Sequence, residues 1–297
     1  MQARRAGRIA AMTPRPAATD DLFARAPGAA AAMPGVHVGI GGWTYAPWRG
    51  GMFYPPGLVQ RRELEYASRQ LTAIEINSTY YGTQKPAIYA GWRDATPDGF
   101  VFSAKAPKRI TGARRLAGTG AQVEDFIAGI ATLGDRLGPL VWQFEAGRTL
   151  DRDDFAAFLD LLPATVEGRT QRHALEIRDP AFLDAAMVAL ARQRGMALVF
   201  TDSPDHPNAA DLYADFVYAR LMRSRDECAS GYPPAELARW AGRIGDWRQG
   251  RDPHELPHAS PVGAASAPRE VFVYFIGAAK HRNPAAARQL LHLLGGN

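Results

Sequence analysis

The sequence predicts an α/β fold of a single domain, a (β/α)8 TIM-type barrel. Eight short apolar runs of strand length recur along the chain, and each is followed by a stretch whose apolar residues have helical spacing. That alternation is the pattern of βα units on a parallel sheet. Eight regular units favour a closed barrel over a doubly wound open sheet. Six charged residues, Glu75, Lys105, Glu176, Arg178, Asp202 and Arg220, stand at or near the ends of these runs. Charge there is costly unless the groups meet one another or a ligand, and barrel closure brings strand ends to one mouth.

Residues 36–40 (VHVGI) are the first expected strand. A helix over 61–71 follows, with Leu64, Ala67, Ser68 and Leu71 on one face. The second strand is 73–76, and the next helix, 86–95, opens on Pro86, which suits a first helical turn. The third strand is 100–104, followed by a helix over 123–136 and a fourth strand at 140–144. Residues 151–162 form an amphipathic helix with an acidic first turn. A strand at 174–177, a helix at 180–194 and a strand at 197–201 come next. The strand 216–221, the helix 234–248, the strand 271–275 and the helix 284–294 complete the pattern.

The barrel domain therefore spans 36–297. Within it, 249–269 is rich in Pro, His, Ala and Ser and reads as a long exposed loop. Residues 1–35 hold five arginines against two aspartates and lack an apolar period, so they read as a disordered N-terminal extension. They contain no continuous apolar stretch of a secretory signal, and Met12 and Met33 offer later translation starts.

At 297 residues and 46% hydrophobic, the chain can bury one large core. No apolar run reaches the roughly 18–20 residues that cross a bilayer, so no membrane span is expected. A single cysteine, Cys228, excludes an intramolecular disulfide and fits a reducing, cytoplasmic setting. It lies in the polar stretch RSRDECASGY and reads as a loop thiol. The net charge of +5 sits largely in the first 35 residues, which weakens composition as a sign of a nucleic-acid partner. Only four of 35 basic residues are lysines, and two of them, Lys105 and Lys108, share the segment SAKAPKR.

Alternation along the strands assigns faces. Glu75 shares a side with Asn77, Ser103 with Lys105, Glu176 with Arg178, and Tyr218 with Arg220. Their apolar neighbours belong against the helices, so this polar set points into the barrel or its mouth. The loop after strand one, GGWTYAPWRGGMFYP, places Trp43, Tyr45, Trp48, Phe53 and Tyr54 among glycines. Such aromatics build a pocket wall, stack on a flat ligand, or simply plug the mouth. After strand two, EINSTYYG supplies Asn77, Ser78 and Thr79 as hydrogen-bonding groups and Tyr80 or Tyr81 to orient a ligand. The same run also suits an ordinary turn or cap.

Several segments carry a family resemblance. They are Trp43 to Tyr45 with Trp48, Phe53-Tyr54-Pro55, Glu75 through Tyr81, Trp92, Thr96-Pro97, Gly99-Phe100, Lys105 through Lys108 and Ile110-Thr111. Gln143, Glu176-Ile177-Arg178 and Tyr218 through Leu221 follow in order and spacing. Together they resemble the YecE-like family, domain of unknown function 72, from about Val36 to the C-terminus. The resemblance implies a TIM-type barrel without a settled activity. Three positions depart from the family's usual wording. Gly112 stands for a histidine, Met222-Arg223 for His-Gly, and Ile276-Gly277 for an Asn pair. These departures imply a changed substrate or a weakened activity.

The expected chemistry is as follows. Lys105, Lys108 and Arg109 after strand three, with Arg178 and Arg220, form a cationic group suited to clamp a phosphate or carboxylate. Glu75 and Glu176 are the candidate general acid and base. Trp43, Tyr45, Asn77, Thr79, Tyr81, Gln143 and Asp202 are further expected ligand contacts. The alternative is a balanced set of ion pairs that closes the barrel interior. No HxH, HExxH or His-Cys cluster occurs, and although Asp202, Asp205 and His206 could touch a metal, none is assigned. No P-loop or Gly-x-Ser-x-Gly is present, and no cofactor or oligomeric state is assigned. The first functional expectation is an enzyme or former enzyme acting on a small anionic, phosphorylated or sugar-like molecule. The alternatives are a nucleic-acid-binding or processing barrel and a non-catalytic ligand-binding scaffold.

Overall fold

The computed structural model describes residues 21–30, 33–147, 149–261, 263 and 265–295. Eight parallel strands close a barrel: β1 (Val36–Gly41), β2 (Ala73–Ile76), β3 (Val101–Lys105), β4 (Leu137–Phe144), β5 (His173–Ile177), β6 (Ala197–Thr201), β7 (Phe216–Leu221) and β8 (Glu270–Phe275). They follow chain order around the wall, and β8 pairs with β1 from Val36 beside Val271 to Ile40 beside Phe275. The helices of eight residues or more are α1 (Glu63–Gln70), α2 (Pro86–Asp94), α3 (Gly120–Ile130), α4 (Arg152–Leu159), α5 (Ala185–Gln193), α6 (Pro234–Arg248) and α7 (Asn283–Gly295).

The strands fall where the apolar runs placed them, and the helices differ in instructive ways. The helix expected over 123–136 ends at Ile130 and tightens into a 3-10 turn, Ala131–Arg136. Gly134 at φ 57° breaks it, a conformation that costs glycine nothing, and β4 then starts at Leu137. The helix expected from 180 starts at Ala185, because the Asp184 carboxylate accepts the Met187 N–H at 2.9 Å and caps it. Asp151 caps α4 in the same way, through Asp154 N–H at 2.8 Å. Between β6 and β7 no helix forms. That connection holds two prolines, Pro204 and Pro207, and buries Ala209, Ala210 and Leu212 against the barrel instead.

Two apolar layers result. Between strands and helices lie Trp142, Phe155, Phe158, Trp240 and Trp247, all buried. Inside the barrel, Val141, Ala174, Tyr218, Phe272 and Tyr274 fill the lumen. Its lower end is closed by His37, which lies 2.7 Å from Glu270 and stacks on Phe272. β1 and β2 approach so closely that a Cβ on Gly39 would lie 2.0 Å from the Ala73 carbonyl oxygen.

Residues 1–20, 31 and 32 of the expected disordered extension lie outside the described residues. Residues 21–30 pack on the barrel. Ala26 N–H donates to the Arg69 carbonyl at 2.8 Å, Ala29 is buried, and the Arg62 guanidinium covers the Phe23 ring. The stretch 250–261 with 263 and 265–269 has no regular secondary structure, yet it buries Leu256 and Arg269. Among the described residues no helix is long and apolar enough to cross a membrane.

Candidate functional site

The inward positions of β2, β4, β5 and β7 carry Glu75, Gln143, Glu176 and Arg220 near the upper end. Register makes them meet, since Gln143 lies beside Glu176. The Arg220 guanidinium, 2% exposed, donates to Glu75 Oε1 at 2.8 Å, to Gln143 Oε1 at 3.1 Å and to Glu176 Oε2. Glu75 Oε2 accepts from the Tyr218 hydroxyl at 2.6 Å, and that hydroxyl lies 2.7 Å from Ser103 Oγ. Glu176 Oε1 accepts from Arg178 Nε at 2.7 Å. Every oxygen of the two buried carboxylates is therefore occupied.

The electrostatics follow from this packing. Burial works to raise the Glu176 carboxyl, but Arg220 and Arg178, with Lys105 behind them, outweigh it and hold it below its ordinary value. Burial likewise works against the Arg220 charge, and Glu176 and Glu75 overcome it. Burial pushes the Tyr218 hydroxyl well up, and the Glu75 charge adds to the effect, so it serves as a donor.

Above this floor opens a cavity of about 500 Å³. Its charged lining, among the described residues, is Lys105, Arg178, Arg220 and Lys280, all cationic, and no carboxylate reaches its surface. Arg178 is tied to Glu176 and, at 2.9 Å, to Glu145 Oε2. Glu145 Oε1 accepts from the Tyr80 hydroxyl at 2.9 Å and from the Gln143 amide. Burial, with help from that Glu145 bond, pushes Tyr80 up to about 12.

Lys105 is different. It is 8% exposed, and among the described residues nothing accepts a hydrogen bond or ion pair from its ammonium. Its Nζ sits 3.7 Å from the centre of the Tyr80 ring. Burial lowers its pKa to about 8, with the Arg220 charge adding to the effect. Lys280 lies over the rings of Tyr45 and Trp48, and burial lowers its pKa too.

Of the residues expected at the site, Trp43, Asn77, Tyr81, Lys105, Gln143, Arg178 and Arg220 line the cavity. Glu75 and Glu176 lie beneath it. Tyr45 stands behind Lys280, and Thr79 is buried where its hydroxyl meets the Ile76 and Lys105 carbonyl oxygens. Lys108 lines an adjoining depression with Tyr80, Tyr81, Arg109 and Gly112. Asp202 faces away from the lumen, one position past inward Thr201. Its carboxylate accepts from Met222 N–H and from the Tyr232 hydroxyl at 3.1 Å, and burial pushes it up to about 6. Among the described residues no group of three or more His, Cys, Asp or Glu is arranged to hold a metal.

Sequence reasoning missed Glu145, Lys280 and Asn283. Asn283 donates to the Phe275 and Gly277 carbonyls at 3.3 Å, and its Oδ1 has no partner among the described residues. Glu145 was detectable as the next inward position after Gln143. Lys280 and Asn283 follow β8 in a polar stretch that carries no period.

Residues 37–297 match the family model described as "Protein of unknown function DUF72". The chain is 25% identical over 260 residues to the UPF0759 protein YecE of Escherichia coli K12, covering 77% of this chain and 88% of the relative. Solved DUF72 family proteins share the fold. The one from Thermotoga maritima has a TM-score of 0.64 at 17% identity, over 86% of this chain and 97% of that one. The one from Enterococcus faecalis has a TM-score of 0.61 at 15% identity, over 87% and 97%.

Proposed function

This chain belongs to the DUF72 family, and from the geometry of its barrel mouth we propose that it binds a small anionic molecule there and acts on it. One observation carries the reading. Among the described residues the charged lining of the cavity is wholly cationic, while Glu75 and Glu176 sit behind it with their oxygens engaged. A largely buried lysine with no carboxylate in ion-pair contact among the described residues, as Lys105 is, gains most from an incoming phosphate or carboxylate.

The roles differ from those expected of the carboxylates alone. Glu75 and Glu176 act as counter-charges that fix Arg220. Lys105, Arg178 and Lys280 contact the ligand, and Trp43 and Tyr81 bound it. Binding alone would suit a sensor or scaffold. Turnover needs a group that exchanges a proton near neutral pH, and Lys105, with its pKa near 8, is that group.

Titration calorimetry with inorganic phosphate tests the reading. Saturable binding that weakens at least tenfold in Lys105→Met supports it. No binding at low salt, or binding untouched by Lys105→Met and Lys280→Met, ends it.

A second reading has one observation in its favour. Tyr81 is 88% exposed and borders both the cavity and the depression that holds Lys108 and Arg109. A stacking ring between two cationic hollows suits single-stranded nucleic acid. Oligonucleotide affinity that falls steeply with salt would support this reading, and none at low salt would remove it.

A further inference from the structure

We infer that Lys105 is a nucleophile that forms an imine with a carbonyl compound bearing an acidic group, an inference that builds on the anion site proposed above. Lys105 ends β3, where its own carbonyl accepts from the Thr79 hydroxyl at 2.7 Å, so the side chain leaves from a fixed wall. The residue is 8% exposed and lines the cavity, and its ammonium has no hydrogen-bond acceptor among the described residues. A lysine locked in an ion pair could not readily shed its proton and present its lone pair, and this one is not so locked. Arg178 and Lys280 line the same cavity and supply the charge that would hold the acidic group. The cavity, at about 500 Å³, is within the range that encloses small ligands. Burial lowers the amine's pKa, which increases the neutral, nucleophilic fraction.

The step balances without another reactant. The ammonium gives one proton to solvent at the open mouth, and the nitrogen lone pair forms a bond to the carbonyl carbon as the C=O π bond opens onto oxygen. That oxygen is protonated and leaves as water while nitrogen forms the C=N bond. Overall, one ammonium and one carbonyl give one iminium and one water. Tyr80 packs against the nitrogen, and its hydroxyl is engaged by Glu145, so the ring is held in place during the exchange.

The chain suits a direct test because it has only four lysines, Lys85, Lys105, Lys108 and Lys280. The full chain is incubated with glyoxylate, an aldehyde joined to a carboxylate, reduced with cyanoborohydride and mapped by mass spectrometry. The expected result is labelling at Lys105 at least tenfold faster than at exposed Lys85 and Lys108, with acetaldehyde showing no such preference. Labelling of Lys105 no faster than those two overturns the proposal. Phosphate binding measured on the same unlabelled protein separates the two readings. If phosphate binds and Lys105 is not labelled, the imine falls and the anion site stands. If Lys105 is labelled selectively but phosphate neither binds nor slows it, the nucleophile stands and the anion site falls.

Discussion

Arg220 on β7 reaches Glu75 on β2 at 2.8 Å, although β8 and β1 separate those strands in the wall. The contact crosses the lumen. The same guanidinium also holds Glu176 on β5, so one cation ties together strands distant around the ring.

Arg220→Met should therefore be severe. It leaves two buried carboxylates without their main partner, and breaking such a set costs about 3–5 kcal/mol. Urea unfolding should show that loss, with partial recovery in the triple variant that also carries Glu75→Gln and Glu176→Gln. A single-variant cost under about 1 kcal/mol would contradict a buried ionic floor.

Glu176 contributes to the acid limb of stability. Its folded pKa lies below the unfolded value of 4.5. A depressed carboxyl stabilises fully above its unfolded value and loses that contribution as pH falls through its folded value. Thermal melts should fall as pH drops below about 4.5, and Glu176→Gln should flatten that fall.

Lys105 acts in the opposite sense. Its folded pKa, about 8, lies below the unfolded 10.5. Between those values the unfolded chain holds a proton that the folded one has released, so stability rises with pH across the window. Lys105→Met should abolish that rise and stabilise the protein at neutral pH, on the order of 2 kcal/mol. Phosphate affinity of the unsubstituted protein should weaken as pH rises through about 8.

Tyr81→Ala should leave the melting temperature nearly unchanged, because the ring is 88% exposed. Exposed substitutions usually stay within about 0.5 kcal/mol. Affinity for a ring-bearing anion should fall several-fold while inorganic phosphate binding holds.

Gly39→Ala probes the barrel itself. Its methyl would lie 2.0 Å from the Ala73 carbonyl oxygen, so β1 and β2 must part. Circular dichroism should show a chain that melts far lower or fails to fold.

The barrel was legible because each strand is a dense apolar run between polar breaks, and alternation correctly turned Glu75, Glu176, Arg178 and Arg220 inward. The same parity argument places Asp202 outward, one step after Thr201, and grouping it with the other charges ignored that step. Whether inward charges serve a ligand or one another was not legible. It depends on which oxygens the Arg220 guanidinium reaches, and that is set by register across the lumen. Lys280 lies in a 3-10 turn, Lys280–Arg282, that leads into Asn283 at the start of α7, and that turn is held by Trp48, whose indole N–H donates to the Lys280 carbonyl at 3.0 Å.

Because a single guanidinium serves acids on two far-apart strands, the floor of the mouth constrains inheritance as much as structure. Replacing any one of Arg220, Glu75 or Glu176 strands the others, so a lineage could exchange this trio for apolar filling only by near-simultaneous change. Lys105 and Lys280, which pack on aromatic rings and make no ion pair among the described residues, are open to stepwise drift.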